Sequence, residues 1–261
     1  MTGSRSSPET TRRRAVAEPK YRRIAAALKD AIAAGEYGPG DRLPGENDLM
    51  AAHGVARMTA RQALGVLQSE GLAEARKGAG VFVRTASPLR RLSIQRLARR
   101  HWGSGHSVWA ADAAGRDLVV DQVAVDEQPA HQRIAAVLDV APAAPVCVRR
   151  RRYVLDGEPV MLSTSYLPTA LVAGSPITRP DTGPGGTYAR LKDLGYEPVR
   201  FREEIRSRMP TAEEVSRLGL PGGTPVMLVC RTAFTARGDA VEVNEMVMDA
   251  NAYVLEYDFE A

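Results

Sequence analysis

The hydrophobic period of this chain changes once, and that change commits it to two dissimilar folded parts. From Lys20 onward the period is helical: Tyr21, Ile24, Leu28, Ala31 and Ile32 fall on one stripe. A run dense in breakers, Gly35 to Pro44, ends that helix. A short second helix follows from Glu46 to His53, with Gly54 as its stop. A third runs from about Arg57 to Glu70. Its inward face is Ala60, Ala63, Leu64 and Leu67, so Arg57, Arg61 and Gln62 point away. After Gly71 the pattern is a hairpin: Leu72 to Arg76, a tip of Lys77-Gly78-Ala79-Gly80, then Val81-Phe82-Val83.

Beyond the stretch Ser87 to Arg91 the pattern turns to antiparallel strands with short helices. Two hairpin turns, Asp156-Gly157 and Arg237-Gly238-Asp239, each separate β-prone runs. Thr211-Ala-Glu-Glu214 is a capping box opening a helix that ends near Gly219. Helices are also expected over Pro129 to Leu138 and Tyr188 to Leu194. Ser175 to Gly186, rich in Pro and Gly, is expected to be a loop over a site. The fold class is therefore α+β: an N-terminal winged helix-turn-helix and a C-terminal antiparallel-sheet domain. The expected organisation is a basic disordered tail over 1–18, the winged domain over 19–85, a linker over 86–98 and the second domain over 99–261.

Charge separates the same two parts. The 261 residues carry a formal net charge of +4. Residues 1–100 hold 19 Lys+Arg against 9 Asp+Glu, whereas residues 101–261 hold 16 against 22. A polyanion partner is thus expected for the first part alone. No run approaches the roughly 20 apolar residues of a membrane span, and the Arg-rich N-terminus has no apolar core of a secretory signal. Cys147 and Cys230 sit in apolar strand-like runs and form no metal or redox motif, so reduced core thiols in the cytoplasm are expected. No Ser/His/Asp order, HExxH or phosphate loop is visible, and the four histidines have no metal-ligand spacing. No catalytic residue, metal or cofactor is expected.

The run Gly40-Asp-Arg-Leu-Pro-Gly-Glu46, then His53-Gly-Val-Ala-Arg-Met-Thr-Ala-Arg61, Glu70-Gly71-Leu72 and Gly78-Ala-Gly-Val-Phe-Val83 resembles the GntR family of bacterial transcription regulators. Arg150 to Pro159, Ser165-Tyr-Leu-Pro168, Gly219 to Pro225 and Arg231-Thr-Ala-Phe234 are similar to the effector-sensing UTRA domain of its HutC subfamily, which has a chorismate-lyase-like fold. The resemblance implies a homodimer on palindromic double-stranded operator DNA, probing a small-molecule effector with its second domain. It places DNA contacts at Arg57, Thr59 and Arg61, with Glu46 and Asn47 at the start of the second helix and Lys77, Gly78 and Gly80 in the wing. Arg suits this task because its planar fork reads guanine O6 and N7 together, and Gly lets the wing backbone approach. Asn47 stands where many members carry Arg, and Ala56 where a Ser or Thr commonly caps the third helix.

For the effector, the resemblance puts an Arg-x-Arg pair, Arg150 and Arg152, in the ligand pocket to grip phosphate or carboxylate. Ser165, Tyr166 and Glu242 match further polar contacts. Ser163 stands where many members have Glu. The alternative for Arg149 to Arg152 is an open strand face paired with carboxylates. The expected function is a regulator, in the first instance a repressor, responding to an anionic, phosphosugar-like ligand. A DNA-binding dimer that senses nothing, or more remotely a lyase-like enzyme, are the alternatives. Trp102 to Trp109 is expected to pack at the domain junction or line a pocket mouth.

Overall fold

The structure is a computed structural model that describes residues 18–76, 78–84, 88–92, 97, 109, 113 and 115–258. The basic tail, Lys77, Trp102 and most of the linker fall outside these residues. The chain divides into two compact units, the first ending at Arg84 and the second taking the rest of the chain together with Ser69–Gly71.

The first unit is built on three helices: α1 (Lys20–Ala33), α2 (Glu46–His53) and α3 (Arg57–Ser69). The stripe read from the sequence is buried, with Ile24, Leu28, Leu49, Ala60, Leu64 and Leu67 in one core. The small Ala60 and Ala63 let α3 lie close to its neighbours. Asp48 accepts from the Gly45 N–H at 2.9 Å and closes the start of α2, and Gly54 ends that helix at φ 58°. Ala56 gives α3 a backbone start: its carbonyl accepts from Thr59 and Ala60 N–H. The wing is β1 (Ala73–Arg76) paired antiparallel with β2 (Gly80–Val83). A third edge comes from the breaker-rich loop, where Leu43 N–H donates to Val81 and Val83 N–H to Asp41.

The second unit is a six-stranded antiparallel sheet in the order β4-β5-β6-β9-β8-β7. These strands are β4 (Leu118–Pro129), β5 (Pro145–Leu155), β6 (Glu158–Pro168), β7 (Arg200–Arg208), β8 (Val226–Phe234) and β9 (Ala240–Asp249). β3 (Leu89–Leu92) and β10 (Tyr253–Glu256) form a separate parallel ribbon. Asp156 and Gly157 both take positive φ, 50° and 84°, in the two-residue turn between β5 and β6. Among the described residues the unit also has α4 (Gln132–Leu138), α5 (Thr169–Val172), α6 (Gly186–Asp193) and α7 (Ala212–Leu218). α4 starts later than its sequence suggests because β4 extends through Pro129. Both arms of the α7 capping box form: Glu214 N–H donates to Thr211 Oγ1 and Thr211 N–H to Glu214 Oε2.

Both sheet faces are covered, so its strands carry apolar side chains on each side. α4 packs on Val146, Val148 and Val243, and α7 leads into the cluster of Leu162, Leu218 and Val226. On the opposite face lie α6 and a turn of 3₁₀ helix at Pro176–Thr178, over Cys147, Leu167 and Ala233. The β3/β10 ribbon covers the rest of that face through Leu89 and Tyr253, against Met161, Met246 and Met248.

Candidate functional sites

On the first unit the arginines of α3 stand in solvent beside the acid that opens α2. Arg61 donates to both oxygens of Glu46, Nε to Oε1 at 2.7 Å and Nη2 to Oε2 at 3.2 Å. Arg57 donates to Asn47 Oδ1 at 3.2 Å and lies 3.7 Å from the same Glu46 carboxylate. The hydrogen bond from Arg61 holds the Glu46 carboxyl below its ordinary range. Glu46, Asn47, Arg57 and Arg61 therefore form one exposed cluster across the α2–α3 corner. Thr59, on the neighbouring turn position of α3, is half-buried.

The wing turns on glycine. Gly78 and Gly80 sit at φ 75° and 121°, and a Cβ on Gly80 would meet the Arg42 guanidinium at 3.0 Å. Arg42 thus lies against the tip end of the wing, a cation the sequence reading gave no part. Arg76 stacks over the Phe82 ring at 4.5 Å and brings a second one. Lys77, expected at the wing tip, lies outside the described residues.

In the second unit a cavity of about 450 Å³ opens on the sheet face under α6. Its floor follows from register. Arg149, Ser165, Asn244, Arg231 and Glu203 lie in one lateral row across β5, β6, β9, β8 and β7. Arg149, Arg151 and Arg231 line the cavity, with Glu242, Asn244 and Tyr188. The loop from Pro180 to Thr187 forms its other wall, so the Pro/Gly-rich segment does lie over the site.

The arginine pair of the sequence reading needs correcting. Arg150 and Arg152 do share a face, but it is the face away from the cavity. Arg150 pairs with Asp126 at 2.7 Å and Arg152 with Asp121 at 2.6 Å, both acids on β4. The alternation along β5 was read correctly and its phase was not, because both faces of this strand are covered and apolar residues flank either set. Tyr166 likewise faces the α4 side, packed with Val148 and Val243. Ser165 is buried on the cavity side and accepts from Arg151 Nη2 at 2.6 Å. Ser163, also buried, donates to Asn244 Oδ1 at 2.8 Å. Glu242 is in the lining of this cavity.

The lining is electrostatically unfinished. Arg149 is 2% exposed and donates to the carbonyls of Ile177, Arg179 and Pro180, fastening the loop. Burial, then the charge of Arg151, lowers its guanidinium to about 10. Arg231 is 1% exposed; burial opposes its charge, but Tyr188 and Glu203 outweigh that and raise it. Burial pushes the Tyr188 hydroxyl well up, and Glu242 adds to the effect. Arg149 Nε, Arg151 Nε, Arg231 Nη2 and Glu242 Oε2 are buried with no hydrogen-bond partner among the described residues. Buried polar atoms are rarely left so. Four around one cavity describe a site shaped for a polar occupant.

Sequence reasoning missed Arg149, Arg151, Arg231, Asn244 and Tyr188. One signal was available: Arg231 is a lone charge within the apolar strand VMLVCRTAF. Cys147 is buried and Cys230 half-buried, both free thiols, and burial raises Cys147. Among the described residues no cluster of His, Cys, Asp and Glu is arranged to hold a metal, and no helix is long and apolar enough to cross a membrane.

Two family models match the two units. Residues 20–83 match "Bacterial regulatory proteins, gntR family" and residues 113–254 match the UTRA domain. The chain belongs to the GntR family. As a GntR-family regulator it is 34% identical over 249 residues to an uncharacterized HTH-type transcriptional regulator of Streptomyces coelicolor, spanning 92% of this chain and 93% of that protein. It is 28% identical over 238 residues to the HTH-type transcriptional repressor NagR of Bacillus subtilis, covering 90% and 92% of the two. The crystal structure of PhnF from Mycobacterium smegmatis matches with a TM-score of 0.58 at 26% identity, over 91% of this chain and 99% of that one. These families and relatives are transcription regulators, not enzymes. This GntR-family chain is a transcriptional regulator with a DNA-binding helix-turn-helix and a UTRA effector domain.

Proposed function

We propose that the chain is a repressor of the HutC type that holds a palindromic operator as a homodimer and releases it when an anionic metabolite fills the UTRA cavity. The repressor role is argued from the relative named a transcriptional repressor. On the DNA side, Arg57, Thr59 and Arg61 read base edges and phosphates, Asn47 adds a contact, and Lys77, Gly78 and Gly80 bring the wing to the backbone. Glu46 holds the two arginines extended and gives them up to DNA.

The observation that carries the ligand class is the set of buried guanidinium N–H groups left open around the cavity. An oxyanion supplies the acceptors they lack. Glu242, with one oxygen open, suits hydroxyl donors on the same molecule, so a sugar carrying a phosphate fits better than a bare anion. The volume is in the range of small-ligand pockets, about 300–1,000 Å³. Isothermal titration of the full chain with a panel of sugar phosphates tests this, with Arg151→Ala as control. Binding of equal strength by wild type and control refutes the anion reading.

A further inference from the structure

Behind the cavity lies a charged group that the ligand site does not require. Arg91 belongs to β3, the first strand after the winged unit, and is 0% exposed. Its Nη2 donates to Glu203 Oε1 at 2.7 Å, and Arg231 Nε donates to the same oxygen at 2.9 Å. One carboxylate oxygen is shared by two buried cations. Both guanidinium carbons lie near the Trp109 ring, 5.7 Å (Arg91) and 5.6 Å (Arg231) from its centroid, and Trp109 lines the cavity. Arg91 Nη1 also reaches the sulfurs of Met248 and Met246, at 3.1 and 3.6 Å.

The ribbon this clamp holds is slight. β3 and β10 are four residues each and, among the described residues, pair with one another alone. A two-stranded ribbon is marginal without packing. Leu89, Tyr253 and Leu255 pack it on the sheet, and Arg91 adds its ion pair with Glu203. We propose that Glu203 is a switch: an anion on Arg231 transfers the shared carboxylate to Arg91, tightens β3 on the sheet and so passes ligand occupancy into the strand that follows the winged unit. The electrostatics set the direction. Arg231 lines the cavity, and its Nη2 is buried with no hydrogen-bond partner among the described residues. An anion arriving there competes with Glu203 for the Arg231 charge, and Glu203 answers by pairing more fully with Arg91. Arg91 touches no ligand; it is a positioning residue, and the proposal rests on the anion reading above.

The experiment uses the full chain, a duplex selected from a random pool by the wild type, and two probes, glucose 6-phosphate and inorganic phosphate. Calorimetry measures probe binding, a mobility shift measures DNA affinity with and without probe, and hydrogen exchange follows the amides of 90–92 and 254–256. In wild type, probe slows exchange in both segments and weakens DNA binding by about 5- to 150-fold. Arg91→Met removes the buried cation of β3 and leaves Glu203 bonded to Arg231. It is expected to bind probe and DNA as the wild type does, with the probe-driven loss of DNA affinity and the exchange change both gone. Arg91→Lys, which keeps the charge, restores part of the coupling and covers the case in which Arg91→Met does not fold. Full probe-driven release in a folded Arg91→Met overturns the switch and leaves the anion site standing. Probe binding by neither wild type nor variant overturns the anion site, and the switch with it.

Discussion

Two arginine sites do opposite things with the same side chain. Arg57 and Arg61 stand in solvent on α3 around one carboxylate, Glu46. Arg149, Arg151 and Arg231 are sunk in the sheet of the second unit, fixed by backbone carbonyls, Ser165 and Glu203, with N–H groups left over. An exposed ion pair is weak and exchanges partners at little cost, which suits residues that trade one acid for a polyanion. A buried guanidinium cannot be rehydrated cheaply, so its open N–H groups select an occupant. On the proposed function, exposure sets whether an arginine serves as a reader or as a receptor.

The largest effect should come from the exposed pair. On the proposed homodimeric reading Arg61→Ala removes a bidentate donor from both half-sites, and operator affinity should fall by at least about a hundredfold. The melting temperature should stay where it was, since nothing apolar rests on this side chain. A mobility shift beside a thermal melt reads both. Operator affinity unchanged would remove α3 from the reading role and end the comparison.

Arg149→Met should do the reverse: little on DNA and much on stability. It strips the buried carbonyl of Ile177 and the part-buried carbonyls of Arg179 and Pro180 of their donor, at a cost of about 1–3 kcal/mol, that of one buried orphaned group with the other two free to meet water. Denaturant unfolding measures it. The pH sense follows from the lowered guanidinium. A base depressed in the folded state is charged in both states at neutral pH, so its burial cost is constant there. As pH rises through about 10 the charge is lost in the fold and anion affinity should fall. Affinity that stays level through that point would show Arg149 is not among the groups gripping the anion.

What the chain disclosed in advance follows the same division. The winged unit was legible because its signals are local. Glycines mark the stops, a 3.6-residue stripe marks each inward face, and the arginines of α3 lie opposite Ala60 and Leu64. The cavity was legible only in part. Alternation along Arg149 to Arg152 is local, but its phase depends on what covers each face, and here α4 covers one and α6 the other. Arg231, Asn244 and Glu203 join Arg149 only through the lateral register of five strands, and nothing in a single strand encodes its neighbours' register. Glu242 was placed by resemblance, which carries that long-range information; periodicity does not.

Arg151→Ala should act on ligand alone. It loses charge-assisted hydrogen bonds worth about 1.5–3 kcal/mol, or about ten- to hundredfold in affinity for a bound sugar phosphate. Ser165 loses a donor but keeps a neighbourhood of Ser163 and Asn244, so the fold should hold. A loss of stability larger than the loss of affinity would recast Arg151 as a structural cation and shrink the receptor to Arg149 and Arg231.

The smallest effect is expected one residue away, and it separates the two arginine phases most sharply. Arg150 pairs with Asp126 and Gln128 on the face turned from the cavity, and its side chain is about a third exposed. A pair of that kind contributes about 0–1 kcal/mol. Arg150→Ala should therefore leave sugar-phosphate affinity at the wild-type level and lower stability by no more than that amount. Had the cavity been built on Arg150 and Arg152, as the resemblance implied, this change would equal Arg151→Ala in titration. Measured side by side, two adjacent alanines on β5 decide the phase of the strand: one silent to ligand and one not places the receptor on the α6 face, and equal losses place it on the other.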